Sequence, residues 1–142
     1  MHHPVIFFEI PVTDLERAMR FFAAVFGCAF TRETIDGNEM AFFRPTEPDT
    51  MTEMESQATS PAATGMAGAL AKGDAYTPSK DGVVIYFATP DIAVTMQRAT
   101  DNGGSILYPI TDNGLGLVAE FEDCEGNRIA VFEQGMGVAG DQ

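Results

Sequence analysis

Histidine is almost missing from this chain. Its two copies, His2 and His3, stand side by side at the N-terminus. That position reads as a solvated end rather than a ligand arm. Without an internal histidine, a Ser-His-Asp triad within the chain is not expected. Cysteine is as scarce: Cys28 and Cys124 form neither a CxxC motif nor a scaffold of pairs. Two such residues imply reduced thiols and a cytoplasmic protein. Basic residues number 8 against 21 acidic ones, a net charge of −13. Nucleic acids and anionic membranes both call for a basic footprint, so neither is an expected partner. No apolar run approaches the roughly 20 residues of a membrane span. The first residues lead straight into a strand, so no secretory signal is expected. There is also no GxSxG elbow, no phosphate-cradling glycine loop and no zinc-type cluster of Cys and His.

What the chain does have is an internal repeat. Val5 to Asp14 is an apolar run ending in a helix start, and Val83 to Asp91 repeats it. The two aspartates are 77 residues apart, and the offset holds without a gap through Gly27 and Gly104 to Phe30 and Leu107. Later strands align as well, Ala41 with Ala119 at an offset of 78 and Ala69 with Ala130 at 61. A repeat of this kind fixes the architecture before any single residue does. Two copies of one unit make a pseudo-two-fold object, and the natural place for a site is between them. A length of 142 residues with 45% hydrophobic content suits one compact domain.

Each copy reads as β-α-β-β-β. The first strand spans Val5 to Val12, rich in β-branched and aromatic residues. Asp14 caps a helix from Leu15 to Phe26, with Leu15, Ala18, Met19, Phe22 and Phe26 on an apolar face. Gly27 stops it. Strands follow at Cys28 to Thr34 and Asn38 to Arg44, joined by an Asp36-Gly37 turn. Residues 45–65 read as a long loop, in which Met51 and Met54 are candidates to fold over a pocket. Met66 to Ala71 is the fourth strand. In the second copy Val83 to Ala88 is a strand and Asp91 caps a helix ending near Gly103. Strands follow at Ser105 to Tyr108, Leu115 to Glu122 and Asn127 to Glu133, with a tight turn from Asp123 to Gly126. The tail from Gly135 reads as frayed.

The chain resembles the vicinal oxygen chelate superfamily of glyoxalase I, bleomycin-resistance proteins, fosfomycin-resistance enzymes and extradiol dioxygenases. The resemblance rests on Phe8, Glu9, Ile10 and Pro11, then Asp14 and Arg17, then Phe21, Phe22, Val25, Phe26 and Gly27. It continues through Gly68, Ala69 and Leu70, Lys72 and Gly73, and Tyr76, Thr77 and Pro78. It ends with Asp91 and Ile92, Asn102 to Gly104, and Glu125 to Arg128. The glyoxalase-related subgroup with Glu-x-Pro on the first strand is the most similar. This implies an α+β fold: one domain over residues 1–142, made of modules 4–72 and 82–134. The two tandem modules would form a U-shaped mixed sheet around a cleft, with the helices outside. The resemblance also implies a homodimer.

In metal-binding members the ligands come from the first and last strands of each module. Here that pattern falls on Phe7, Ala69, Val84 and Ala130, none of which can donate to a divalent cation. No metal and no cofactor are therefore expected. Strand alternation instead turns Phe7, Glu9, Phe42, Arg44, Tyr86, Glu120, Arg128 and Phe132 toward the cleft. Such a cleft is apolar and aromatic with a few charges, as small-molecule sites are. The leading expectation is a metal-free protein that binds a small, largely apolar molecule there. The alternative is a lyase, isomerase or dioxygenase-type enzyme acting near a carbonyl, with Glu9 as general base. Glu9 has a structural reading too, an ion pair with Arg44 or Arg128, and this one is slightly favoured.

Overall fold

The computed structural model describes residues 4–44 and 67–135. His2, His3, the loop 45–65 with Met51 and Met54, and the end of the tail lie outside the described residues. The order of elements is β1 (Phe7–Pro11), α1 (Leu15–Phe26), β2 (Ala29–Ile35), β3 (Asn38–Arg44) and β4 (Ala67–Lys72). Then come β5 (Ile85–Ala88), α2 (Ile92–Asp101), β6 (Ser105–Asp112), β7 (Gly116–Glu122) and β8 (Arg128–Gln134). The same β-α-β-β-β order thus occurs twice, and the fold is α+β as the repeat implies.

The helix ends form where the sequence places them. Asp14 accepts a hydrogen bond from Arg17 N, and Asp91 accepts one from Val94 N. Each satisfies a backbone donor that the first helical turn leaves free. Gly27 takes a left-handed φ of 72° and donates to Ala23 O, closing α1.

Two four-stranded sheets result, ordered β1-β4-β3-β2 and β5-β8-β7-β6. In each, the first and last strands of the copy run parallel and the other pairs antiparallel. Both sheets turn one face to a common core. Phe21, Phe22 and Val25 of α1 and Ile92, Met96 and Ala99 of α2 meet Leu70 and Ala41 of one sheet there. Phe121, Ile129 and Val131 join from the other sheet. Phe87 stacks on Phe26 at 4.4 Å and meets Phe8 edge-on at 6.2 Å, so α1 is buried between elements of both copies. The second face of each sheet carries no helix and points away from this core.

The strand bounds differ from expectation by two residues or more in three places. Val5 and Ile6 precede β1, whose ladder with β4 among the described residues starts at the pair Phe7 and Ala67. Val83 precedes β5 because the ladder there would reach Asn127, whose N–H already donates to Asp123. β6 runs past Tyr108 to Asp112, through Pro109. It is an edge strand, where a residue without an N–H is tolerated. Its pairing with β7 slips twice, once between Ile106 and Tyr108 and once between Tyr108 and Thr111. Each slip adds a residue to β6, as β-bulges do.

Candidate functional site

The helix-free faces hold most of the polar chemistry of the strands. On the first sheet, Glu9, Ala69, Phe42 and Thr31 stand opposite one another across β1, β4, β3 and β2. On the second, Tyr86, Ala130, Glu120 and Tyr108 make the matching row across β5, β8, β7 and β6. The four pairs of mates are offset by 77, 61, 78 and 77 residues, the repeat spacings of the sequence. In both rows an alanine with no exposed surface forms the floor, Ala69 and Ala130. Tyr108 reaches its row only because the first bulge reverses the faces of β6. Simple alternation from Ile106, which pairs with the core residue Phe121, would put it on the helix side.

The two rows differ in chemistry. On the first sheet Phe7 lies against Phe42 with ring centroids 5.9 Å apart. Phe42 and Tyr76 pack onto a small cluster of Met40, Ala69 and Ala71. Glu9 is exposed and accepts a hydrogen bond from Tyr76 Oη at 2.8 Å. That bond pushes the Tyr76 phenol pKa above its ordinary value. On the second sheet Arg128 pairs with Glu120 and donates from Nε to Lys80 O at 3.2 Å. Tyr86 is more than half exposed, and Phe132 is half-buried on the same face.

The expected ion pair between Glu9 and Arg44 or Arg128 does not form among the described residues. Arg128 sits on the other sheet and is committed to Glu120, while Arg44, on Glu9's own sheet, lies beyond ion-pair distance. Tyr76 takes the place of the missing cation. It comes from the connection between the copies, where the sequence suggested only an ordered turn. No hydrogen bond, ion pair or ring contact among the described residues joins the open face of one sheet to that of the other.

Metal chemistry of the kind the fold family implies does not fit these residues. Phe7, Ala69 and Ala130 lie on the strands as expected, and Val84 just ahead of β5. Their side chains carry no donor atom. Among the described residues no group of three or more His, Cys, Asp or Glu could hold an ion. Neither thiol substitutes: burial pushes both Cys28 and Cys124 up to about 11. A separate open cavity of about 480 Å³ is lined by Leu15, Arg32, Glu33, Thr34, Glu39 and Met40. It contains none of the expected site residues, and its cation Arg32 is already paired with Glu16 and Glu39.

A second buried network joins the two copies. The Glu125 carboxylate, with its side chain 1% exposed, accepts from Thr13 N, Thr13 Oγ1, Asp14 N and the Arg17 guanidinium. Burial pushes its pKa up, but these hydrogen bonds together outweigh it and hold the group below the ordinary value. Asn127 bridges from the same turn, donating to Pro11 O and accepting from Ser79 N. This network anchors the β7–β8 turn on the start of α1 and leaves the open faces free.

The comparisons with known proteins agree with this architecture. A family model described as "Glyoxalase/Bleomycin resistance protein/Dioxygenase superfamily" matches residues 1–131. A glyoxylase-like domain-containing protein of Didymella fabae is 29% identical over 136 residues, which cover 92% of this chain and 94% of that one. Among solved structures, the glyoxylase/bleomycin resistance protein/dioxygenase domain from Frankia sp. EAN1pec superposes with a TM-score of 0.68 at 16% identity. That alignment covers 96% of each chain. The fosfomycin resistance protein FosX from Listeria monocytogenes gives 0.62 at 14% identity, over 96% of this chain and 94% of that one. No helix among the described residues is long and apolar enough to cross a membrane.

Proposed function

This chain belongs to the Glyoxalase/Bleomycin resistance protein/Dioxygenase superfamily, and from that premise we propose that it binds a small, largely apolar molecule without a metal. The carrying observation is the helix-free face of the first sheet. Phe7, Phe42 and Tyr76 surround a floor of alanines there, with one carboxylate at the edge. Aromatic walls with a few placed polar groups are what a small-molecule site requires.

Closure of the site falls to a second copy of the chain. The two helix-free faces point away from the shared core, so one chain does not lay one over the other. β1 and β5 are also sheet edges, unpaired among the described residues, and edges of this kind favour pairing. A two-fold dimer would set the first sheet of one protomer against the second sheet of its partner. Glu9, Phe7 and Phe42 would then face Tyr86, Glu120, Arg128 and Phe132 of the other copy. The chemistry is capture, and no step requires a bound ion.

Titration with Nile red, whose emission rises in an apolar site, tests this. Saturable binding is expected to chelator-treated protein, and Phe42→Glu and Phe132→Glu should each abolish it without unfolding the chain. Binding that both variants retain, or no saturable binding, would refute the reading.

A further inference from the structure

We infer that the first-sheet site selects a cation, an alkyl- or aryl-substituted ammonium group. This rests on the small-molecule reading above and deepens it. Glu9 is the starting point. Its carboxylate is exposed, and among the described residues no Lys or Arg lies within ion-pair distance of it. The partner it does have, the Tyr76 hydroxyl at 2.8 Å, is neutral and leaves the charge in place. An ionised carboxylate has about four acceptor positions, so one hydrogen bond leaves room for a ligand.

The other charged groups on the open faces are differently placed. Arg128 and Glu120 neutralise each other on the second sheet, and Lys80 lies 3.8 Å from Glu122. Arg44 shares the face of Glu9 but stands two residues beyond Phe42 on β3, with β4 between it and β1. Asp36 adds further negative potential at Tyr76, whose pKa it helps to raise after the larger effects of Glu9 and of burial. The charge local to the Tyr76 side of the site is therefore negative.

Three rings stand around that charge. Phe7 is two residues from Glu9 on the same strand face, Phe42 lies across Ala69 from it, and Tyr76 touches it directly. Phe7 and Phe42 are in contact at 5.9 Å. Aromatic faces carry negative charge density and attract a cation within about 6 Å of the ring centre. A hydrated anion finds no donor in this group except the tyrosine hydroxyl. A neutral apolar ligand gains from the rings but nothing from the carboxylate. A weakly hydrated ammonium with carbon substituents uses both.

Calorimetric titration of the intact protein with choline and with 3,3-dimethyl-1-butanol, its neutral carbon isostere, tests the inference. Choline should bind at least about tenfold more tightly. Glu9→Gln should erase that preference, and Phe42→Leu should reduce it. Tyr76→Phe, which keeps ring and carboxylate, should retain it. Equal binding of the two probes, binding of neither, or a preference that survives Glu9→Gln would overturn the inference. Saturable Nile red binding in the same preparation would then leave the broader small-molecule reading standing. Loss of dye binding as well would bring down both.

Discussion

At the residue scale the two carboxylates worth changing behave oppositely. Glu9 looks costly from the sequence because it lies between Phe8 and Ile10 on a strand of apolar residues. In the structure it is exposed and its one partner is neutral. Glu9→Gln keeps an acceptor for Tyr76, so the melting temperature should stay within about 2 °C of the parent. A shift of many degrees would mean that Glu9 holds a buried charge after all. Glu125 is the structural carboxylate. It supports two backbone N–H groups at the start of α1 and the Arg17 guanidinium at 2.7 Å. Glu125→Gln should cost about 2–3 kcal/mol, the scale of hydrogen bonds to a charged group. Its pKa is depressed in the folded state. Its contribution is therefore present above the unfolded value of about 4.3 and is lost as pH falls through the lower folded value. Urea melts between pH 7 and 3 should show an acid-side loss that is smaller in Glu125→Gln. The sequence pointed to neither partner. Tyr76 is 67 positions from Glu9 and Thr13 is 112 from Glu125, and pairs so distant leave no periodic trace. Arg128 and Glu120 were both legible as open-face residues, because alternation along β7 and β8 is regular.

At the element scale the caps and turns carried most of the information. Asp14, Gly27 and Asp91 end or begin helices through local hydrogen bonds, which is why α1 follows its sequence pattern from Leu15 to Phe26. β6 is the element the sequence described least well. Its two register slips break the period of two, and Pro109 reads as an end where the strand continues. Tyr108 was missed as a site residue for that reason. The pairing of β1 with β4 supplies a sharper test. Phe8 lies over Gly68, and a Cβ on Gly68 would come within 2.2 Å of the Phe8 ring. Phe8 also contacts Phe43 and Phe87, so it has little room to yield. Gly68→Ala should cost about 1–3 kcal/mol through overpacking. An unchanged urea midpoint would show that this ring moves freely.

At the scale of the whole molecule, the repeat foretold two alike modules and the order of elements along each. It did not foretell how they dock, because docking depends on side chains outside the shared pattern. Phe87 stacks on Phe26 where the repeat positions hold Ile10 and Gly103, and Glu125, which caps α1, falls at the repeat position of Thr64, a residue without a carboxylate. These contacts turn both helix-bearing faces inward and both open faces outward. The central proposal builds on that arrangement: two copies of the chain would enclose a small-molecule site that needs no metal. Native mass spectrometry of the purified protein reads assembly and bound metal in one experiment. The account predicts a species of two chains with less than stoichiometric zinc, nickel, iron or manganese. A monomer at micromolar concentration, or one tightly held metal ion per chain, would contradict it.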